Sequence, residues 1–237
     1  MERSNRIFAR LKRTALALPG VAADLARLPR HGVLEVGGRR IAIVHGDAHS
    51  LSGWNWAAEA LAPPLDSGTA CAPSGATLTP ESSVLADFRA ADVLAFATTH
   101  TCLPFLQGFP VDGSRRLIVN NGSAGMANFR GTEHGLITRI SARPHVPEDS
   151  MYGVTAGGVR FDALPVRWEP EAWRRRFLAA WPPLSDAYRS YYERIVNGPA
   201  WSMDDAVRMG TQNGRQALYG RPGAAPVGGA RRALAGD

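Results

Sequence analysis

Lysine is almost absent from this chain. Lys12 is the single one, so nearly all of the 27 basic residues are arginine. They lie in scattered pairs and triplets: Arg39/Arg40, Arg115/Arg116, Arg174 to Arg176 and Arg231/Arg232. No block of five or more like charges occurs, which is what a basic arm for nucleic acid would show. The formal net charge of +6 therefore reads as solvated surface before it reads as a nucleic-acid face. Cysteine is scarce as well. Cys71 and Cys102 are too few for a disulfide framework, and a reducing cytosol would leave both free. No apolar run approaches the roughly 18 residues needed to span a bilayer. The opening segment MERSNRIFARLKRTALALPG lacks the continuous apolar stretch of a secretory signal. Its Ile7, Leu11, Leu16 and Leu18 fit one face of a helix instead. A cytoplasmic location with no membrane partner is expected.

What is present is a chain of 237 residues, 45% hydrophobic and 20% charged, enough for one globular domain with a sizeable core. The pattern predicts a helix over 3–28. A β-hairpin follows, with Val33–Val36 and Arg40–Val44 joined by Gly37-Gly38. Ser52 is placed to cap a helix over 51–61. A Pro/Gly/Ser/Thr-rich loop covers 63–80, and a helix 81–91. Strands are expected over 92–99, 115–125, 134–142 and 158–168. The remainder turns helical, with Pro170 in the first turn of one helix and Ser185 capping the next. Residues 1–200 form the main domain with its helices, 201–220 a further helix, and 221–237, which lack any apolar period, a disordered tail. No internal repeat interrupts this order.

The first two-thirds carry their chemistry at strand ends. Val44 runs into His45-Gly46-Asp47, Thr99 into His100-Thr101-Cys102, and Val119 into Asn120-Asn121-Gly122-Ser123. In α/β sheets, ligands collect at the carboxyl ends of strands. Three such ends with polar groups point to one shared site. Imidazole and thiolate are ligands for zinc, iron or manganese. Each residue has a plainer reading too: a hydrogen-bonded histidine, a small buried thiol, or a turn built from Asn and Gly. Order and spacing raise the site above these.

That order resembles the calcineurin-like metallophosphoesterase family. The resemblance rests on IAIVHGD after a Gly-Gly hairpin, then FATTHTCLP, then LIVNNGSAG, and covers about residues 30–140. It implies an α/β fold, specifically the C-terminal half of an α/β/β/α sandwich, so that 1–200 would be a partial metallophosphoesterase domain. It implies metal ligation by His45 and His100, with Pro104 and Asn121-Gly122-Ser123 in the following motif positions. Cys102 stands where the family has a second ligand histidine, and a thiolate there would be a softer donor to the second ion. Two divalent ions (Mn, Fe or Zn) would form the centre, with Asp47 supporting a ligand from behind and Asn121 facing the substrate phosphate. His49 falls on the rim. His134 and His145 belong to no motif, and Trp54/Trp56 and Trp173/Trp181 read as packing anchors.

The family's earlier half, Asp-x-His, Gly-Asp-x-x-Asp and Gly-Asn-His, is missing from these residues, and with it the expected catalytic histidine. The Asp-x-His at 47–49 is not followed by the other two motifs. Three functions remain. The first is a metal-dependent phosphoester hydrolase acting on a small phosphoester or nucleotide, with a start codon set too late. The second is an inactive remnant of the same fold, working through a partner or through self-association that covers exposed sheet edges. The third is a basic nucleic-acid-binding protein. The reading frame upstream of codon 1 separates the first two.

Overall fold

The computed structural model describes residues 2–63 and 77–209. Its elements in chain order are α1 (Glu2–Ala17), α2 (Val21–Arg27), β1 (His31–Val36), β2 (Arg39–Val44), α3 (Glu81–Ala91), β3 (Ala95–Thr98), β4 (Phe105–Val111), β5 (Ser114–Asn120), β6 (His134–Ser141), β7 (Tyr152–Ala156), β8 (Val159–Arg167), α4 (Pro170–Ala180), α5 (Asp186–Asn197), α6 (Met203–Ala206) and β9 (Val207–Arg208). The fold is mixed α/β. A six-stranded sheet has the order β1-β2-β3-β5-β4-β9, and a three-stranded antiparallel sheet the order β6-β8-β7. No helix among the described residues is long and apolar enough to cross a membrane.

Period-two alternation builds two cores on opposite faces of the larger sheet. Ile41, Ala95, Leu117 and Val119 turn toward the smaller sheet and meet Leu136, Val154, Val159 and Phe161. Their neighbours Ala42, Phe96 and Ile118 turn the other way, onto Val84 and Phe88 of α3 and onto Trp56 and Leu61. The central strands are thus buried on both sides, which is why they read as continuous apolar runs. A third, smaller cluster joins Ile7 of α1 to Phe177 of α4 and to Ala187 and Ile195 of α5.

Several sequence expectations are revised. The helix over 3–28 is two helices, because Pro19 and Gly20 (φ 79°) break it. Residues 51–61 form successive turns. Trp56, Ala57, Ala58 and Leu61 are all buried there, and three adjacent buried positions do not fit one face of a helix. The carbonyls of Ala58 and Leu61 are held by Arg208 instead (2.6 and 3.3 Å). Strands β4 and β7 were not anticipated. Gly108, Pro110 and Gly153 disguise them. The helix expected over 201–220 is, in its described part, the single turn α6, which passes at once into β9 alongside β4. The rest of that helix, the tail over 221–237, Cys71 and most of the 63–80 loop lie outside the described residues.

Candidate functional site

β2, β3 and β5 are neighbours and parallel, so their carboxyl ends open on one edge of the sheet. β4 runs antiparallel to β5 and brings the 99–104 loop to the same edge. The loops are joined through their main chains. Thr99 and His100 both donate their N–H to the His45 carbonyl (3.2 and 2.8 Å). The Thr98 hydroxyl lies 3.0 Å from that oxygen and 2.6 Å from the Gly46 carbonyl. This stitching fixes the two histidines relative to each other. Nδ1 of His100 lies 3.1 Å from Nε2 of His45, and the rings meet edge-on at 4.9 Å. Burial, and next the charge of His45, hold the His100 imidazole below its usual pKa, with Asp47 pulling weakly upward. A neutral imidazole keeps a lone pair for a proton or a cation.

Asp47 is buried and turned into its own loop. Oδ1 accepts from the backbone N–H of His49 and Ser50 (3.0 and 2.9 Å), and Oδ2 from that of Asn55 (3.3 Å). Gly53 lies so close that a Cβ there would sit 1.9 Å from Oδ2. Cys102 adopts a left-handed conformation (φ 60°), and its thiol lies 3.4 Å from the His100 carbonyl. Burial pushes that thiol's pKa up, against a smaller downward pull from Arg194. Asn121 donates its side-chain amide to the Leu136 carbonyl (3.3 Å). Its neighbour Asn120 is the buried one, holding Thr101 Oγ1 (2.9 Å) and the Gly122 N–H (2.8 Å). Asn128, unremarked in the sequence, closes the Asn-Gly-Ser turn by accepting from the Ser123 N–H (2.8 Å).

Two further residues at this edge escaped sequence reasoning. Trp54 was expected in the core with Trp56. Trp56 is buried, but Trp54 is 59% exposed and its ring stands edge-on to His100 at 5.5 Å. Asp87 of α3 pairs with His49 (2.9 Å). Burial raises the Asp87 pKa against the lowering effect of His49. A cleft of about 630 Å³ runs past His45, Asp47, His49 and Asp87. His145 is exposed. His134 is half-buried, and its Nε2 has no hydrogen-bond partner among the described residues.

The structure brings His45 and His100 together. It does not gather a third donor, since no group of three or more His, Cys, Asp or Glu side chains able to hold a metal occurs among the described residues.

No protein-family model matches the chain, and no curated protein sequence matches it. Among solved structures it is similar to a hypothetical protein from Pyrococcus horikoshii OT3, with a TM-score of 0.44 and 15% identity over 76% of this chain and 54% of that one. It is similar to a metallophosphoesterase from Sphaerobacter thermophilus, with a TM-score of 0.42 and 14% identity over 77% of this chain and 64% of the other. It is also similar to Vps29 from Entamoeba histolytica, crystallised with zinc, at 0.28 and 16% over 60% and 63%. The chain thus matches 54–64% of the length of these structures.

Proposed function

We propose that the edge carrying His45 and His100 is part of the site of a metal-dependent phosphoester hydrolase. The observation that supports this most is the 3.1 Å approach of the two imidazole nitrogens, on loops held together through the His45 carbonyl. Two imidazoles so placed can share one ion of the zinc or manganese class. The donor set fits one ion with the rest of its coordination sphere open. A two-ion centre needs donors beyond those the described residues assemble. When bound, the ion supplies Lewis-acid polarisation of a phosphoryl oxygen and an ionised water near neutral pH.

The residues of the chain then have separable duties. His45 and His100 hold the cation. Asp47 folds the loop that follows His45 and sets its exit from the strand. Trp54 shields one side of His100 and narrows the approach. The Asn-Gly-Ser turn borders the same edge, and a small phosphoester or nucleotide is the proposed substrate.

A non-catalytic reading is favoured by one observation: the Cys102 thiol is turned to its own loop and held protonated by burial. One experiment separates the two. The purified protein is loaded with Mn, Fe or Zn, bound metal is counted, and hydrolysis of p-nitrophenyl phosphate and bis-p-nitrophenyl phosphate is followed. The hydrolase reading expects at least one tightly held ion, lost in both H45A and H100A, and a fall in turnover of about a hundredfold or more in each variant. Absence of both bound metal and turnover sinks it and leaves the non-catalytic reading standing.

A further inference from the structure

β1 is the outermost strand of the larger sheet on one side, and its free edge stands open. Gly37 and Gly38 (φ 57° and 70°) make a two-residue turn. Such a turn is closed by a hydrogen-bonded pair, here Val36 and Arg39. Antiparallel bonding then alternates along the strand. Leu34 and Gly32 bond inward, to Ile41 and Ile43, while His31, Val33 and Glu35 turn their N–H and C=O groups outward. Those outward groups have no main-chain partner among the described residues. The usual devices that blunt a sheet edge are missing too. β1 is six residues long, without proline or lysine, and its pairing with β2 is unbroken by a bulge.

Three features say what fits this edge. The outward groups are spaced evenly about Val33, so a second β1 laid antiparallel and centred there satisfies all of them at once. His31 then faces the partner's Glu35, which sets an imidazole against a carboxylate on both sides of the axis. Leu34, 55% exposed, falls opposite the partner's Gly32. A Cβ built on Gly32 meets nothing within 4 Å, so a leucine has room to lie over it. A slip of one residue sets outward groups against residues already bonded to β2. A slip of two parts His31 from Glu35.

We infer that β1 pairs with β1 of a second copy of this chain, antiparallel and centred on Val33, so that two sheets join edge to edge. The pairing reaches the carboxyl-edge site. His31 and Val33 share with Ala42 and Val44 the sheet face that floors the cleft past His45. The partner's Val33 and Glu35 continue that floor across the axis, and the clefts of the two copies run into one another. A strand pair of this length buries less than a standard interface, so the association is weak enough to follow concentration. It holds whether or not His45 and His100 bind a metal.

The test is sedimentation equilibrium of the metal-free full chain from about 1 to 100 μM, where a micromolar dimer forms by mass action. A monomer–dimer equilibrium is expected. V33P removes an outward N–H and leaves the bonds between β1 and β2 whole, and should weaken the dimer about tenfold. H31E sets like charges across the axis and should weaken it about threefold, and H31E/E35K, which restores opposite charges, should recover it. R175Q on α4 should leave it unchanged. If V33P loses its thermal transition, H31E and its rescue are read instead. The register has its own readout. A short bis-maleimide should join V33C to itself far faster than E35C, whose copies lie apart in this register, and should leave the wild-type chain, with Cys71 and Cys102, as single chains. A monomer throughout, whether the edge stays bare or another segment of the chain covers it, overturns the inference. So does a dimer untouched by V33P and H31E, or cross-linking of E35C at the rate of V33C.

Discussion

His100 lies in contact with a second imidazole, and this gives it a measurable signature. Burial is the larger cause of its lowered pKa and the charge of His45 the next. In metal-free protein, an imidazole NMR titration should place His100 below the ordinary value of 6.5. H45A should move that midpoint up part of the way, because the burial remains. The sign for stability follows from linkage. A histidine whose folded pKa is depressed contributes stability that is present above its unfolded pKa and is lost as pH falls through the folded one. Unfolding free energy in wild type should therefore decline as the pH is lowered from 7 through 6.5 and on past the His100 midpoint, and less steeply in H100A. The two histidines were legible in the sequence because each ends an aliphatic run. Trp54 was not. Two tryptophans two residues apart look alike on paper, and only the turns that replace the expected helix send Trp56 inward and Trp54 out beside His100.

At the scale of elements, the smaller sheet is tied together by a buried charge. Asp162 of β8 is fully buried and is held by Arg139 of β6 (2.9 Å), by Arg160 of its own strand (2.7 Å) and by the Ser150 hydroxyl (3.1 Å). Removing one partner of a buried ion pair leaves the other charge uncompensated. D162N should cost about 3–5 kcal/mol, read as a lower urea midpoint with an unchanged m-value. D112N, which breaks the exposed Arg89–Asp112 pair, should leave the midpoint where it is. The same scale explains which elements the sequence disclosed. β2, β3, β5, β6 and β8 carry apolar runs or clean alternation, α4 has Pro170 in its first turn, and α5 has its cap, Ser185. β4 and β7 hide behind glycine and proline, and β9 is two residues held in place by its neighbour. For such strands pairing supplies the order, and no local pattern announces it. The carboxyl-edge site was legible as three strand ends.

For the molecule as a whole, α1, α4 and α5 share a small core of their own beside the two sheet cores. α1 rests on α4 and α5 through Ile7, through the bidentate Arg6–Asp186 pair (2.9 and 2.7 Å) and through Arg10 over the Trp181 ring (4.0 Å). Phe8, Leu11 and Leu16 stay exposed, so this contact is narrow. Ile7 is the one buried residue of the helix. I7A should cost about 2–3 kcal/mol of local docking energy. It should then speed amide exchange across residues 2–17 by about a hundredfold, while β3 and β5 keep their protection. Loss of protection in β3 and β5 as well would show that the helical layer and the sheets unfold as one unit.

The Arg6–Asp186 pair also spans a long stretch of synthesis. α1 is made before its seat on α5, which is translated some 180 residues later. At about 5–20 residues per second, that is a wait of roughly ten to forty seconds. Throughout it, the helix presents Ile7 together with Phe8, Leu11 and Leu16 to whatever surrounds the ribosome. The nascent chain is thus open to capture by a chaperone at α1, and the interval ends only when the last turns of α5 clear the exit tunnel.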